Sequence, residues 1–315
     1  MPLFERDNFT AASTFPVKLL HTDILNNGKI MPVHIQISPT NVCNLNCSFC
    51  SCGDRDKKKS FTLKEIMQIL DVCAERGTKA MTITGGGEPL MHPQINEIIK
   101  YAGEKNIEVG LVTNGTLFSL LGYHDNLIWC RISSSDDRTL NRDFWKNIEY
   151  GIKTNPQTDW AFSHVITENP NYQNIQDLID FADKDFTHIR LVSNLLDLNV
   201  IPSMDTIKKN LRDDEKVIYQ GRKDSTEGTK HCLISLLKPV IAPEGIFPCC
   251  GAQYAIYNQP RDMIKRMKMG DIKDLPEILD KQKYFDGSVC NVCYYSQYND
   301  IIKKLLNKPE HINFI

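Results

Sequence analysis

The chain has 315 residues, 41% of them hydrophobic, and a formal net charge of −2. This length and composition predict a globular protein with one large domain and a smaller appendage. The near balance of charge argues against a nucleic-acid surface or an anionic-membrane surface, and the sequence has no run of about eighteen apolar residues that would span a bilayer.

The start of the chain shows no clear period, and residues 1–31 are expected to form a short N-terminal lead-in. Residues 1–7 lack the basic start and apolar core of a secretory signal, so we expect a cytoplasmic, soluble protein. The 42 residues before the first cysteine are expected to be too few for a separate leader-peptide-binding domain. Eleven cysteines in a reducing compartment indicate metal ligation rather than disulfides.

The first cysteine motif directly follows a predicted strand. Residues 32–39 alternate between apolar and polar side chains, and Cys43, Cys47 and Cys50 follow with the spacing C-x3-C-x2-C. Three thiolates are one fewer than the four that close a structural iron–sulfur or zinc site, and a catalytic metal site keeps one position open. The alternatives are a three-cysteine zinc site with a distant fourth ligand and chance clustering.

A helix, a strand and a glycine-rich turn come next. Thr62 and Glu65 have the spacing of a capping box, and apolar residues then recur on one face until a glycine ends the helix. The strand predicted at residues 80–84 leads into Gly-Gly-Gly-Glu-Pro at residues 85–89. Consecutive glycines let a backbone approach a ligand closely and expose unpaired N–H and C=O groups, while Glu88 adds a fixed anion. Taken alone, this segment would be an ordinary turn.

Strands and helices continue to alternate along the chain. Including the strand before the first cysteine, about six strands are each followed by a helix, which predicts parallel pairing with right-handed crossovers. Periodicity alone does not separate a barrel from a flat doubly wound sheet, but both place the active site at the carboxyl ends of the strands. One helix is predicted with Ile95, Ile98, Ile99 and Ala102 inward, and further helices are predicted at about 138–153 and at 175–183. The further strands are predicted at residues 108–112, 127–133, 159–165 and 188–192.

A change of composition marks the second part of the chain. Residues 203–230 are polar and charged, which predicts an exposed helix and linker at a domain boundary. Four thiolates from the five cysteines beyond it would complete a fully protein-ligated second cluster. Alternatively, a structural zinc ribbon would use the same ligands and would only stabilise the fold of the C-terminal segment. The five are Cys232, Cys249, Cys250, Cys290 and Cys293.

These motifs, in this order, resemble the radical SAM superfamily, and the later cysteines resemble the twitch module of its SPASM/twitch branch. The resemblance implies an α/β fold with a partial (β/α)6 TIM-like barrel at residues 32–202. The linker and an auxiliary [4Fe–4S] module with a C-terminal helix at residues 231–315 would follow. The resemblance also implies that Cys43, Cys47 and Cys50 bind three irons of a first [4Fe–4S] cluster. The fourth iron of that cluster would take the amino and carboxylate groups of S-adenosylmethionine (SAM).

Further SAM-binding positions follow from the same resemblance. Gly85, Gly86, Gly87 and Glu88 correspond to the segment that binds the SAM amino group, with Glu88 as its acceptor, and Phe49 takes the family's aromatic position. Polar residues at later strand ends are candidates for holding the ribose, the carboxylate and the adenine: Asn114, Ser133, Ser135 and Asp136. Ser163, His164 and Arg190 are additional candidates, although a lone histidine in a strand is more often a core residue.

Seven cluster ligands leave four cysteines over. Cys73 and Cys130 fall within a predicted helix and a predicted strand, where free cysteine behaves as a small buried hydrophobe. Cys52 is expected to pack near the first cluster. The spacing from a preceding glycine favours Cys250 as a ligand and the Pro-Cys step favours Cys249; on one strand their side chains would point to opposite faces. A spare thiol among Cys52, Cys249 and Cys250 is either filler or a hydrogen donor to a substrate radical, as in radical SAM epimerases.

The implied activity is reductive cleavage of SAM to a 5′-deoxyadenosyl radical that abstracts hydrogen from a substrate C–H bond. Epimerisation or oxidation (dehydrogenation) of a small polar substrate such as a sugar, aminocyclitol or nucleoside would follow. One alternative is a peptide-modifying epimerase or cross-linking enzyme; another, of a different class, is a non-catalytic iron–sulfur electron carrier or zinc-binding module. The expected partners are a small-molecule or short-peptide substrate and a flavodoxin- or ferredoxin-type reductant.

Overall fold

A nine-stranded sheet organises the computed structural model, which describes residues 11–22, 24–182, 186–194, 196, 201–212, 214–220, 227–252, 266–293 and 295–307. The strands lie in the order β7-β6-β5-β4-β3-β2-β1-β8-β9, and neighbours are parallel except β8 and β9. The predicted parallel α/β architecture is confirmed. The strands are β1 (His34–Ile37), β2 (Ala80–Ile83), β3 (Glu108–Thr113), β4 (Leu127–Ser134), β5 (Asp159–Ile166), β6 (Phe186–Ser193), β7 (Val217–Gln220), β8 (Val240–Ala242) and β9 (Gly245–Phe247).

Helices connect the strands and cover one side of the sheet. Among the described residues, none of them is both long enough and apolar enough to cross a bilayer. They are α1 (Ala11–Leu20), α2 (Ile24–Asn27), α3 (Leu63–Ala74), α4 (Ile95–Glu104), α5 (Asp136–Thr139), α6 (Arg142–Thr154), α7 (Tyr172–Ala182), α8 (Met204–Lys209), α9 (Ile234–Leu237), α10 (Leu275–Asp280) and α11 (Ser296–Leu306), with 3-10 turns at Pro89–Met91, Phe118–Leu120, Ile272–Asp274 and Gly287–Val289.

Local sequence explains the start and the packing of the first large helices. The Thr62 side chain accepts a hydrogen bond from the Glu65 N–H at 3.3 Å, and the Glu65 carboxylate accepts one from the Thr62 N–H at 2.7 Å. The predicted capping box at the start of α3 is therefore confirmed. The predicted inward face of α4 is also confirmed, because its buried residues are Ile95, Ile98, Ile99 and Ala102.

The two faces of the sheet differ in chemistry. On the helix-covered face, Phe162 of β5 stacks on Phe186 at 4.4 Å between ring centroids and meets Trp145 of α6 edge-on. Because side chains alternate along a strand, the neighbours of Phe162, Ala161 and Ser163, point to the opposite side. We call that side the inner face. Its partly or fully buried side chains are mainly polar and include Gln36, Thr82, Arg131, Ser163, His188 and Arg190.

Several elements differ from the sequence predictions. The helix expected at about 138–153 is divided into α5 and α6, because the Asn141 side chain accepts a hydrogen bond from the Asp143 N–H at 2.9 Å and begins a new helix. The polar segment 203–230 contains the strand β7 as well as α8, and β7 pairs with β6. Beyond that segment, β8 pairs with β1, so the C-terminal part contributes to the same sheet. The division at 1–31, 32–202, 203–230 and 231–315 stays a prediction.

Candidate active site

The first cysteine motif lies on the loop that leaves β1, as predicted. All three thiols, of Cys43, Cys47 and Cys50, are half-buried. The N–H of Leu45 donates to the sulfur of Cys43 at 3.5 Å, and Nη2 of Arg138 donates to the sulfur of Cys47 at 3.0 Å. Donors of this kind stabilise a thiolate and orient it as a metal ligand.

Burial sets the proton affinity of these thiols in the protein without a metal. It raises the pKa of Cys43 and of Cys50, and the nearby ammonium of Lys57 opposes the rise for both. A bound metal reverses this logic, because a coordinating thiol is deprotonated outright. Three half-buried thiols with N–H donors beside them fit the ligand set of an iron–sulfur cluster that keeps one iron open.

The glycine-rich segment packs directly against the stem of the cysteine loop. The N–H of Gly86 donates to Ser38 Oγ at 2.5 Å, and the N–H of Gly87 donates to the Thr40 carbonyl at 3.0 Å. A Cβ on Gly86 would lie 1.9 Å from Asn41 Oδ1, a distance that side chains do not tolerate. The expectation of exposed N–H groups is therefore wrong for both glycines, since the close approach serves the protein's own chain.

The carbonyl side of this segment faces the cysteine loop. The thiol of Cys52 donates to the Gly85 carbonyl at 3.4 Å, which confirms that Cys52 packs near the first motif. The ammonium of Lys57 donates to the carbonyls of Cys52 and Gly86 at 3.2 and 3.4 Å. Lys57 therefore bridges the cysteine loop and the glycine-rich segment.

Glu88 is a buried connector between two strand ends. Its Oε1 accepts from the hydroxyl of Thr113 at 2.6 Å and from the Leu90 N–H at 3.0 Å, and its Oε2 accepts from the Asn114 N–H at 2.7 Å. Burial raises the pKa of this carboxyl, and the hydrogen bonds from Thr113 and Asn114 oppose the rise. Glu88 thus fixes the end of β3 against the glycine-rich segment.

The third strand end is also tied to the cysteine loop. Nδ2 of Asn114 donates to Oδ1 of Asn44 at 2.9 Å, and Nδ2 of Asn44 donates to the hydroxyl of Thr116 at 2.8 Å. The predicted candidate Asn114 therefore lies beside the first cysteine motif.

The predicted polar residues after β4 lie in a hydrogen-bonded group at the ends of β4 and β5. Oδ2 of Asp136 accepts from the Asn171 N–H at 3.0 Å, while Oδ1 lies 3.4 Å from Nε2 of the fully buried His164. Nδ1 of His164 lies 3.1 Å from the hydroxyl of Ser134. Ser135 is buried at the start of α5.

Arg138 is a site residue that the sequence analysis missed. Besides Cys47, its guanidinium bonds the carbonyl of the predicted candidate Ser133 and lies 5.8 Å from the ring centroid of Phe49. The sequence analysis placed this residue only at the start of the helix expected at about 138–153. Basic residues within reach of a cysteine motif were the only available signal.

The later cysteines surround a second pocket. Cys232, Cys249, Cys290 and Cys293 all line it, together with Tyr295 and apolar residues such as Pro248 and Phe285. Burial, with the neighbouring thiols, raises the pKa of Cys232 to about 11 and that of Cys290 to about 12. Among the described residues, no three His, Cys, Asp or Glu side chains lie close enough together to hold a single metal ion.

The adjacent pair Cys249 and Cys250 follows β9 in a loop rather than lying on a strand. Cys249 faces the pocket, whereas the sulfur of Cys250 lies 2.9 Å from the hydroxyl of Tyr295. The remaining cysteines, Cys73 and Cys130, are fully buried in α3 and β4, as predicted.

A buried polar contact connects the two cysteine sites. Nδ2 of Asn41, two residues before the first cysteine, donates to Oε1 of Glu244 at 2.6 Å. Glu244 lies in the turn between β8 and β9, and Nη1 of Arg55 is 3.9 Å from its Oε2. The hairpin that precedes Cys249 therefore packs on the stem of the first cysteine loop.

Residues 37–140 match the profile of the Radical SAM superfamily. The probable GTP 3′,8-cyclase of Pyrococcus abyssi is 30% identical over 185 residues, which are 55% of this chain and 58% of that protein. The bacteriocin subtilosin biosynthesis protein AlbA of Bacillus subtilis is 33% identical over 88 residues, or 28% of this chain and 19% of that protein. The matched segments thus cover less than two thirds of these relatives.

Similar folds occur among solved structures. Streptococcus suis SuiB bound to SAM superposes with a TM-score of 0.60 at 17% identity, over 88% of this chain and 72% of SuiB. The protein anSMEcpe with bound AdoMet and the Cp18Cys peptide superposes with a TM-score of 0.54 at 16% identity, over 88% of this chain and 84% of that one. Both similarities support the partial-barrel fold expected from the sequence.

Proposed function

We propose that the chain is a radical SAM enzyme, which cleaves SAM reductively and uses the resulting radical to abstract hydrogen from a substrate C–H bond, because residues 37–140 match the Radical SAM superfamily profile. This assignment agrees with the motif order of Cys43–Cys50 and Gly85–Pro89 and implies the superfamily's cofactors, a [4Fe–4S] cluster and SAM. The observation that supports the activity best is the direct contact between these two motifs at one end of the sheet.

The chain's own residues would hold and orient these cofactors. Cys43, Cys47 and Cys50 would ligate the first cluster, which with SAM supplies a 5′-deoxyadenosyl radical when both are bound. Arg138 would stabilise the thiolate of Cys47 and offer a cation for the SAM carboxylate. The carbonyls of residues 85–87 would accept from the SAM ammonium, with Glu88 holding that segment in place.

For the second site, we propose a fully protein-ligated auxiliary cluster. Cys232, Cys249, Cys290 and Cys293 supply four thiols around one apolar pocket, which is the complete set for a [4Fe–4S] cluster. A zinc ribbon would use the same four ligands. Metal analysis separates the two, since the cluster gives iron and sulfide at this site and the ribbon gives zinc.

We propose a small polar substrate. The relatives named as GTP 3′,8-cyclases act on a nucleotide, which favours a nucleoside-type molecule over a sugar or aminocyclitol. Epimerisation would need a thiol near the substrate, for which Cys52 and Cys250 remain the candidates, whereas oxidation would need the auxiliary cluster to accept an electron. The relatives are named as cyclases, not as epimerases or dehydrogenases. Epimerisation and oxidation of the substrate are therefore both proposals.

A peptide substrate is the second candidate. SuiB has been solved with its precursor peptide SuiA, and its fold covers 92% of this chain with a TM-score of 0.60. Incubating the enzyme with peptides and with nucleosides, and measuring which of them raises 5′-deoxyadenosine formation, separates the two classes.

The activity itself is tested by anaerobic incubation of the reconstituted protein with SAM and a flavodoxin-type reductant. We expect 5′-deoxyadenosine from the wild-type protein and none from the Cys43→Ala, Cys47→Ala, Cys50→Ala triple variant, which should also lose about four irons. Cys73→Ala, a buried thiol outside both sites, is the matched control. If the triple variant keeps its iron and its activity, the assignment of the first loop is wrong; if no 5′-deoxyadenosine forms with an intact cluster, a non-catalytic electron carrier is favoured.

A further inference from the structure

We propose that Glu244, in the turn of the β8–β9 hairpin, is a positioning residue for SAM binding, because through Asn41 it holds the glycine-rich segment of the first site in place. This inference deepens the proposed function and rests on it, since residues 85–87 bind SAM only if the protein is a radical SAM enzyme. It means that the C-terminal part of the chain, which carries the second cysteine site, also supplies part of the geometry of the first site.

The burial of Glu244 is the first observation. The side chain of a residue in a short hairpin turn usually lies in solvent, and glutamate is almost never fully buried unless it is paired. Glu244 lies between the last residue of β8 and the first residue of β9, yet it is only 7% exposed. Burying a carboxylate costs free energy unless hydrogen bonds or a cation compensate it. The contacts that do so all come from the first cysteine loop.

Asn41 makes the closest of these contacts. Its Nδ2 donates to Oε1 of Glu244 at 2.6 Å and to the carbonyl of Asp56 at 3.1 Å. Asn41 is fully buried, and an amide nitrogen has two hydrogens to donate. Both hydrogens of this amide are therefore used, and the orientation of the Asn41 side chain is fixed.

The glycine-rich segment rests on Asn41. A Cβ on Gly86 would lie 1.9 Å from Asn41 Oδ1, and a Cβ on Gly87 would lie 2.5 Å from the backbone carbonyl carbon of Asn41. The N–H of Gly87 also donates to the carbonyl of Thr40 at 3.0 Å. A shift of Asn41 would therefore move the carbonyls of residues 85–87, which are proposed to accept from the SAM ammonium.

Arg55 contacts Glu244 from the other end of the cysteine loop. Its Nη1 lies 3.9 Å from Oε2 of Glu244, and its guanidinium lies 6.0 Å from the ring centroid of Phe247 in β9. The two charged side chains are only 10% and 2% exposed, so solvent screens the pair little. A Cβ on Gly86 would lie 3.1 Å from Cδ of Arg55. Hairpin, cysteine loop and glycine-rich segment thus meet at one buried point.

The hydrogen bond to Asn41 is the part of this arrangement that positions SAM. Without the Glu244 acceptor, a buried N–H of Asn41 would have lost its partner, and the amide would turn to find another. The carbonyls of the glycine-rich segment would then no longer be preorganised for the SAM ammonium. Part of the binding free energy would be spent on ordering them.

The test compares two variants of similar size, Glu244→Gln and Glu244→Met. Both side chains are uncharged and both fill the same space, but only glutamine keeps an oxygen that accepts from Asn41. Isothermal titration with SAM is done on the anaerobically reconstituted full chain, at equal iron and sulfide content. We expect the glutamine variant to bind SAM within about threefold of the wild type, and the methionine variant to bind about tenfold more weakly or worse. Glu108→Met, at the exposed first residue of β3, should leave the affinity unchanged.

A second readout separates positioning from a merely structural role. The electron paramagnetic resonance spectrum of the reduced first cluster is followed as SAM is added. Glu244→Met should need about ten times more SAM than Glu244→Gln to reach half of the spectral change. A residue that only stabilised the fold would lower the iron content or the stability, and the protein that kept its clusters would bind SAM normally.

Asn41→Ala tests the same contact from its other side. It should weaken SAM binding as much as Glu244→Met does, and combining the two changes should weaken it no further. This variant decides the inference if Glu244→Met does not take up its clusters. Equal SAM affinity of Glu244→Gln and Glu244→Met, or wild-type affinity of Asn41→Ala, overturns the inference.

Formation of 5′-deoxyadenosine by the wild type tests the proposed function separately. If this nucleoside forms and the glutamine and methionine variants bind SAM equally, only the inference fails. If SAM binding follows the expected order and no 5′-deoxyadenosine forms, only the proposed reaction fails. If the wild type binds no SAM at all, both fail.

Discussion

The guanidinium of Arg138 donates a 3.0 Å hydrogen bond to the sulfur of Cys47. A cation at a ligand sulfur stabilises the more negative, reduced state of a cluster bound there. The fourth strand and the helix after it are thereby joined to the loop that follows the first strand.

Arg138→Gln should therefore lower the reduction potential of the first cluster. We expect a fall on the order of 50 mV, about 1 kcal/mol for one electron, with the iron content retained. Redox titration followed by electron paramagnetic resonance measures it, with Arg142→Gln as the control of equal charge change. An unchanged potential would show that the contact has no electronic role.

Replacing the two adjacent cysteines should have unequal effects. Because Cys249 lines the second pocket and Cys250 bonds Tyr295, Cys249→Ala should lose about four irons per chain and Cys250→Ala should lose none. Iron and sulfide analysis after anaerobic reconstitution measures this difference. The reverse pattern would make Cys250 the ligand.

Gly86→Ala should destabilise the protein and impair the first site. Its Cβ would collide with Asn41 at 1.9 Å, and overpacking of this kind costs about 1–3 kcal/mol. Gly122→Ala is the milder comparison, because its Cβ would lie 3.3 Å from Asn96 Oδ1, a tight contact that a shift of a few tenths of an ångström relieves. Anaerobic denaturant unfolding compares the free energies of unfolding of the two variants. Equal values would mean that Asn41 moves aside without cost.

An ion pair between Arg76, just after α3, and Asp280, the last residue of α10, should make stability depend on pH. Arg76 donates to both carboxylate oxygens of Asp280 at 2.8 and 2.9 Å, and this lowers the pKa of Asp280 below 3.8. A lowered carboxyl pKa stabilises the folded state above the unfolded value and loses that contribution as the pH falls through the folded value.

We therefore expect Arg76→Ala to lower Tm slightly at pH 7, because the Asp280 carboxylate is exposed to solvent that screens the pair, and to differ less from the wild type as the pH falls below 3.8. Thermal unfolding across this range measures the difference. Asp280→Asn should reproduce the effect, and the double variant should add nothing further. A difference that stays constant down to the lowest pH would argue against this origin.

Sequence reasoning was most accurate where the signal was local. The capping box of Thr62 and Glu65 and the apolar face of α4 depend on neighbours within one or two turns, and both were confirmed. Arg138 and Glu244 were missed because their partners, Cys47 and Asn41, lie about ninety and two hundred residues away in the sequence. Periodicity carries no information at that range.

Short strands were the second feature that the sequence analysis did not predict. β7 has four residues within a charged segment, and β8 has three, so neither shows a period. Only the sheet itself reveals that β8 pairs with β1. For the same reason the exposed N–H groups expected at Gly86 and Gly87 were wrong, because their acceptors belong to the preceding loop.

The pairing of β8 with β1 has a consequence for truncated forms of the protein. Gln36 and Ser38 donate their N–H groups to the carbonyls of Pro239 and Ile241. A fragment ending before residue 231 would leave the backbone of β1 open along one whole side, next to the thiols it presents. Open edges of this kind recruit strands from other molecules, so such a fragment should self-associate rather than behave as a minimal catalyst.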